Sequence, residues 1–426
     1  MTPISRRAFL GQTALFGLGS TALGRMALAQ DRIALHMATI LPGRTGPDFI
    51  KASINEVIGT AARNGAMAAD IGILSRVEAP LAPDLLFASS PTPDTALRAA
   101  ERLVEAQNVK VLIGGVGEGQ AEVLTEFANR TGVLFLNIGG SSDALRAAAG
   151  PTVFHVEASD AMYLDALAQL AVANGHQSWA VISDSTPRGQ ANAARAVIAA
   201  EKVGANVAGT VTAPPGVPVY YNELDQLREI GAPLVMILLD AYDQTPFLIQ
   251  YEQEGHDTPT LLMPYPLTQT RDFIASLRRY APGMSPRQRV ALWDATDPAP
   301  AAADFNLQIR ARYAGPADPG AWAAHAAIKI VTEAAAATQS NDPATLAAHL
   351  VAEGTRFDLG KGVDLSFRPW DRQLRQPLTV AEVDPDLEWK LLELSTHINI
   401  AQYQSSLPAD LGAGDAALDQ LGDGPV

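Results

Sequence analysis

Apolar residues along the chain fall in short runs that alternate with longer stretches of helical period. "RIALHMATIL" (32–41) has strand length and aliphatic character and predicts a first strand. "DTALRAAERLVEAQN" (94–108) predicts a helix with Asp94 as N-cap and Leu97, Ala100, Leu103 and Val104 on one face. "VKVLIGG" predicts a strand and "VLFLNIGG" (133–140) another. Between them "GQAEVLTEFANRTG" predicts a helix that buries Val123, Leu124, Phe127 and Ala128 and stops at Gly132. The alternation continues through "VFHVEAS" (153–159), "DAMYLDALAQLAVANG", "SWAVISDS" (178–185) and "GQANAARAVIAAEKVG", then through "NELDQLREIGAPLVMILLDAYD" and "EGHDTPTLLMPYP". Strand and helix in steady succession are the mark of an α/β fold. Two such series follow one another, one up to about 152 and one from about 156 to 290. The Pro/Ala-rich "DATDPAPAAADF" (294–305) reads as a crossover. It leads to helices at "PGAWAAHAAIKIVTEAAAATQ" and "DPATLAAHLVAEG" and strands around "VDLSFRPW" and "QPLTVAEV". From Ser405 on, "SSLPADLGAGDAALDQLGDGPV" is acidic and rich in small residues, and disorder is expected there.

Length and composition narrow the picture. With 426 residues, 47% hydrophobic and 18% charged, the chain can bury two lobes. A formal net charge of −15 argues against nucleic acid and against an anionic membrane surface as partners. The absence of cysteine excludes disulfides, thiolate zinc sites, iron–sulfur clusters, cysteine nucleophiles and cysteine-linked lipid anchors. At the N-terminus, Ser5-Arg6-Arg7-Ala8-Phe9-Leu10 leads into the short, glycine-broken apolar stretch "FLGQTALFGLGSTALG" (9–24), and Ala27-Leu28-Ala29 follows as a small-x-small cleavage site. Paired arginines before such a stretch match a twin-arginine export signal over residues 1–29, with Gln30 as the first mature residue and a periplasmic destination. The apolar stretch is shorter than the ~20 residues needed to span a bilayer.

The candidate chemistry centres on Gly114-Gly115-Val116-Gly117-Glu118-Gly119, where a strand turns into a helix N-terminus. Such a turn can cradle an anion. A dinucleotide site wants GxGxxG, whereas this turn is GxGxG. Glu118 would repel a pyrophosphate, and the next strand, "VLFLNIGG", does not end in the acid that would hold a ribose hydroxyl. No Lys-Ser/Thr follows, so the turn is no P-loop. A tight turn without any ligand stays open as a reading. Ser141-Ser142 lack the spacing of a nucleophile elbow. The histidines form neither HxH nor HExxH, and His325 sits in a helical pattern as a packing residue, so no metal site is expected. Asp184 reads as a turn or cap residue, and Tyr220 and Tyr221 as packing ahead of a helix. Trp293, at the Pro/Ala-rich crossover, fits a core position and a cleft wall equally.

Strand, Gly-rich turn, helix, strand and "GGSSD" over 109–143 resemble the core of the type I periplasmic solute-binding proteins, the branched-chain amino-acid receptor kind. "AVISDSTPRGQANAARAV" resembles the unit that opens the second lobe of that family, and "DPGAWAAHAAIKIVTEAAAA" with "NDPATLAAHL" its C-terminal helices. The resemblance implies two Rossmann-like lobes with three interlobe crossovers, near 155, 295 and 380. The first lobe would take 30–155 and 295–384, the second 156–294, and 385–426 would form a C-terminal extension. It implies a non-enzymatic, cofactor-free monomer that closes on a small polar organic solute and docks on an ABC permease in the inner membrane. Carried over by position, the first-lobe contacts are Val116, Gly117, Glu118, Gly139, Ser141 and Ser142. Arg188 takes the place of a family aromatic, Asp240 and Ala241 fall near a second-lobe contact, and Tyr265 stands where amino-acid receptors place an acid. Trp293 joins this set as a cleft candidate. Glu118 and Tyr265 depart from the amino-acid pattern, which points to hydroxylated, aromatic or cationic ligands, with Arg188 expected to pair with Glu118 across the cleft. "LSFRPWDRQLRQPLTVAEV" and "DFNLQIRARYAGPADPGAWAAH" look like the subfamily associated with PQQ-dependent alcohol dehydrogenase systems. That likeness implies an association of genes and leaves a ligand-sensing regulator as the alternative to import. An exported cofactor enzyme rests on the export signal alone.

Overall fold

The computed structural model describes residues 32–43, 49–281, 288–313, 315–383 and 401–424. The export signal expected over 1–29 lies outside the described residues. The first lobe is built on five parallel strands, β1 (Ile33–Leu41), β2 (Leu81–Ser89), β3 (Val111–Gly114), β4 (Leu134–Asn137) and β5 (Val153–His155), in the spatial order β2-β1-β3-β4-β5. Helices α1 (Phe49–Gly72), α2 (Pro93–Gln107), α3 (Gln120–Thr131) and α4 (Asp143–Ala147) connect them. β3 and β4 are buried at every position, as parallel strands covered on both faces must be. The N-cap of α2 lies two residues before the expected Asp94: it is Thr92, whose hydroxyl accepts from the Thr95 amide. Pro93 fits the first turn because it has no N–H to leave unpaired.

The second lobe runs through α5 (Asp160–Ala173), β6 (Ser178–Asp184), α6 (Pro187–Lys202), β7 (Asn206–Ala213), α7 (Tyr221–Ile230), β8 (Val235–Ile237), α8 (Ala241–Gln253), β9 (Thr260–Leu262) and α9 (Arg271–Tyr280). Its parallel sheet has the order β7-β6-β8-β9. The α5 helix is apolar nearly all round and correspondingly buried on nearly every face. Its Tyr163 and Met162 belong to the core shared with the first lobe.

Beyond the second sheet, β10 (Gln288–Ala291) leads to α10 (Pro300–Tyr313), α11 (Pro319–Thr338) and α12 (Pro343–Leu350), and α11 packs along α1. Short strands β11 (Phe357–Asp358), β12 (Asp364–Phe367) and β13 (Leu374–Arg375) follow, then β14 (Leu378–Val383), β15 (Ala401–Leu407) and α13 (Asp415–Leu418). β10, β14 and β15 form a small antiparallel sheet. Three buried glutamines stitch the passages between the lobes. Gln269 donates to the Tyr163 hydroxyl (2.9 Å) and accepts from the Leu292 amide (2.6 Å). Gln373 donates to the Glu157 carbonyl (3.0 Å), and Gln376 to the Val156 carbonyl (2.7 Å).

The tail corrects a sequence expectation. The described residues from Ser405 to Gly424 are folded: β15 pairs along β14, and Leu418 and Leu421 are buried. Asp419 accepts from Arg368 Nε (3.0 Å) and Arg375 Nε (2.8 Å), while the Gly422 amide donates to Asp165 (2.8 Å) and Asp423 pairs with Arg195 (3.1 Å). Composition misled because the acids of the tail look unpaired locally; their cationic partners lie some 44 to 228 residues away in sequence.

Candidate interlobe binding cleft

The strands of both sheets end toward one another, and the loops at their carboxyl ends enclose a cavity of about 530 Å³. This is where parallel α/β sheets place ligands. Nine of the sequence candidates line it: Gly117, Glu118, Gly139, Ser141, Ser142, Arg188, Asp240, Ala241 and Tyr265. Two lie elsewhere. Val116 is buried in the core behind the turn. Trp293 is a core residue, stacked on Trp322 with ring centroids 5.8 Å apart and edge-on to Phe305. A crossover position put Trp293 near the hinge, but α11 supplies an aromatic partner there, and burial against it wins over cleft exposure.

The first-lobe wall is made of backbone and hydroxyls. Gly119 begins α3 in the left-handed region (φ 70°), and no side chain caps that helix end. A glycine N-cap brings no side-chain oxygen to the first-turn N–H groups, and this helix start borders the cavity. Gly139 lets two loops touch: a Cβ there would come within 2.8 Å of the Val116 Cα. Behind them Asn137, fully buried, ties the loop together. Its Oδ1 accepts from the amides of Gly139 (3.2 Å) and Gly140 (2.8 Å), and its Nδ2 donates to the Gly140 carbonyl (2.6 Å). Glu118 is exposed at the rim.

The second-lobe wall is acidic. Asp184 ends β6, Asp240 caps α8 by accepting from the Tyr242 amide (3.0 Å), and Asp243 accepts from the Gly216 amide (2.8 Å). Burial pushes the Asp240 carboxyl above its usual range. Asp184 does hold its turn, accepting from the Thr186 amide (2.9 Å), but it also faces the cavity. Sequence reading passed over Asp184, Thr186, Pro215, Gly216, Tyr242 and Asp243. The signal that could have found Asp184 and Thr186 is their place just after a predicted parallel strand.

Arg188, on α6, lies between the walls. It donates to Asp160 through Nε (2.8 Å) and Nη2 (2.7 Å) and to the Ser141 hydroxyl of the first lobe (2.7 Å). Its guanidinium sits 5.1 Å from the Tyr265 ring centroid. Its carboxylate partner is thus Asp160, and the expected pairing with Glu118 gives way to it. Burial alone would raise the Asp160 carboxyl, yet Arg188 outweighs burial and holds it below its ordinary value. Among the described residues no group of His, Asp and Glu is arranged to hold a metal ion.

A model of the family described as periplasmic binding protein matches residues 90–388, well over half of the chain. The protein belongs to the periplasmic binding protein family. Proteins of this family are binding components of ABC transporters rather than enzymes; they take up small molecules in the periplasm and deliver them to permeases. Solved structures repeat the fold. A branched-chain amino acid ABC transporter periplasmic ligand-binding protein from Burkholderia xenovorans LB400 is 14% identical, with 89% of this chain and 97% of that one covered and a TM-score of 0.73. An ABC transporter substrate-binding protein from Sphaerobacter thermophilus is 17% identical, covering 88% and 98% at a TM-score of 0.72. A solute-binding protein of an ABC transporter from Rhodopseudomonas palustris BisB5, in complex with 3,4-dihydroxybenzoic acid, is 16% identical, covering 88% and 96% at 0.67. No curated protein matches the chain.

Proposed function

We propose that this periplasmic binding protein captures a small polar organic solute in the interlobe cleft and presents it to an ABC permease in the inner membrane. The observation that carries the reading is the 530 Å³ cavity with walls from both lobes. A solute that touches both walls binds the closed arrangement more tightly than the open one and so shifts the lobes toward closure. The chemistry of the walls points to an aromatic or aliphatic solute with a hydroxyl or carbonyl end for the first lobe and an amine or hydroxyl end for the carboxylates of the second. A hydroxylated aromatic ring is also what the similar solute-binding protein from Rhodopseudomonas palustris BisB5 holds, as 3,4-dihydroxybenzoic acid. Arg6-Arg7 and Ala27-Leu28-Ala29 support delivery by the twin-arginine route, with the mature chain starting at Gln30. Replacing both arginines by lysine should then leave precursor in the cytoplasm.

Calorimetry against a panel of amines, alcohols, phenols, carboxylates and amino acids tests the ligand assignment, and small-angle scattering with the best binder should show compaction. A protein that binds no member of the panel, or binds one without compaction, contradicts the reading.

A further inference from the structure

Arg188 is the one cation among the described residues that line the cleft, and it is already engaged. Both oxygens of Asp160 take its guanidinium, at 2.7 and 2.8 Å, in the fork geometry that makes Arg–carboxylate pairs strong. Asp160 is 1% exposed and sits at the first turn of α5, where the chain passes between lobes. Its own amide donates to the Ser141 carbonyl (2.7 Å), and Arg188 donates to the Ser141 hydroxyl, so the pair is locked against the first-lobe wall as well. The Tyr265 ring covers the guanidinium from the other side. Glu118, Glu122, Asp184, Asp240 and Asp243 also line the cavity, so with Arg188 neutralised the walls are acidic.

Resting on the solute-binding reading above, we propose that Asp160 decides which charge the cleft accepts. By holding Arg188 in a two-pronged pair it withdraws the cleft's cation from ligand carboxylates and leaves the second-lobe carboxylates to select an amine- or hydroxyl-bearing solute. Asp160 touches no solute in this scheme; it is a positioning residue, acting through Arg188. The arrangement differs from capture of an acid by an unpaired arginine in that Nε and Nη2 of the guanidinium are already taken by a carboxylate of the protein and by the Ser141 hydroxyl.

Two probes with the same phenol ring and opposite charge separate these cases: tyramine and 4-hydroxybenzoate, measured by calorimetry on the wild type, Asp160→Asn and the double variant Asp160→Asn/Arg188→Gln. Asparagine keeps the shape of Asp160 but leaves Arg188 uncompensated, so Asp160→Asn should bind 4-hydroxybenzoate about tenfold or more better than the wild type does. The double variant removes both charges and should lose that gain. An Asp160→Asn protein that binds 4-hydroxybenzoate no better than the wild type overturns the proposal. Should circular dichroism show Asp160→Asn unfolded, the double variant decides alone: acid binding weaker than in the wild type would mean that Arg188 itself holds the acid, and acid binding at the wild-type level supports the neutralised pair. A wild type that binds nothing in the wider panel fails the function itself. A wild type that binds a panel member while Asp160→Asn gains nothing for the acid fails only the role of Asp160.

Discussion

The two walls of the cleft are built from the same strand–turn–helix unit and finish it differently. In the second lobe, side chains occupy the helix ends: Thr186 accepts from the Gly189 amide at the start of α6 (3.0 Å), and Asp240 from the Tyr242 amide at the start of α8. In the first lobe, α3 starts at a glycine and α4 at Ser142, and neither end has a side-chain cap. A capped end has already satisfied its donors and shows the ligand a carboxylate or hydroxyl; an uncapped end shows the N–H groups themselves. At these helix starts one wall brings backbone N–H groups without a capping side chain and the other brings side-chain oxygens. The difference teaches that a repeated fold unit can give two opposite chemistries through a single residue at each helix start.

The largest way to break this contrast is to remove what holds the donor wall from behind. Asn137→Ala strips three hydrogen bonds from the 137–140 loop inside the core. The Gly140 carbonyl keeps its bond from Arg146 Nη1 (2.8 Å), but leaving the two amides unpaired should cost about 2–4 kcal/mol of stability. An unchanged denaturant midpoint would show that the loop holds itself.

The next effect is in the buried passage between the lobes, where Gln373 donates to the Glu157 carbonyl. Burial raises the Glu157 carboxyl from 4.5 to about 7, against the opposing pull of the Tyr163 hydroxyl bond and Arg146. Between those values the folded protein keeps a proton that the unfolded chain has released. Stability from this group is thus fully present below pH 4.5 and falls as the pH rises through 7, by on the order of 2–3 kcal/mol. Asp143, raised from 3.8 to about 6 by burial and by Asp160, slopes the same way. Glu157→Gln should flatten the profile of melting temperature against pH in that window; parallel profiles for the two proteins would contradict it.

A smaller effect compares the acids of the two walls. With tyramine as probe, Asp240→Asn should weaken binding about tenfold, the worth of one charge-assisted bond in a partly buried site. Glu118→Gln, at an exposed rim position, should change it less than about threefold because water screens the charge. Calorimetry that ranks the two in the opposite order would move ligand charge selection to the first lobe. The smallest expected change is Thr186→Ala, which removes one cap and should cost about 1 kcal/mol. Chemical denaturation measures it, and a null result would mean that the α6 end is held by Asp184 and the lobe around it.

The strand–helix alternation was readable because buried parallel strands and amphipathic helices leave different periods in the sequence. The stop of α3 at Gly132 and the start of α6 in "STPRG" follow from glycine and from a hydroxyl residue before proline, and both are local. The turn at 114–119 was visible as glycine where a backbone must reverse. The folded tail was not readable, since Asp415, Asp419 and Asp423 pair with bases far off in the chain. Nor was the place of Trp293, whose partners come from helices that follow it.

Periodicity, turn residues and the family pattern, all properties of neighbouring residues, thus determined the two-lobed α/β architecture and the two loops that approach the cleft. Which side chains meet across that cleft was decided only by the tertiary structure. Asp160, Arg188 and Ser141 lie 28 and 47 residues apart in sequence, and only the packing of α5 and α6 against the first-lobe loop brings them within 2.7 Å. Charge pairing acts over a few ångströms of space whatever the separation along the chain, so no reading of neighbours can reveal it.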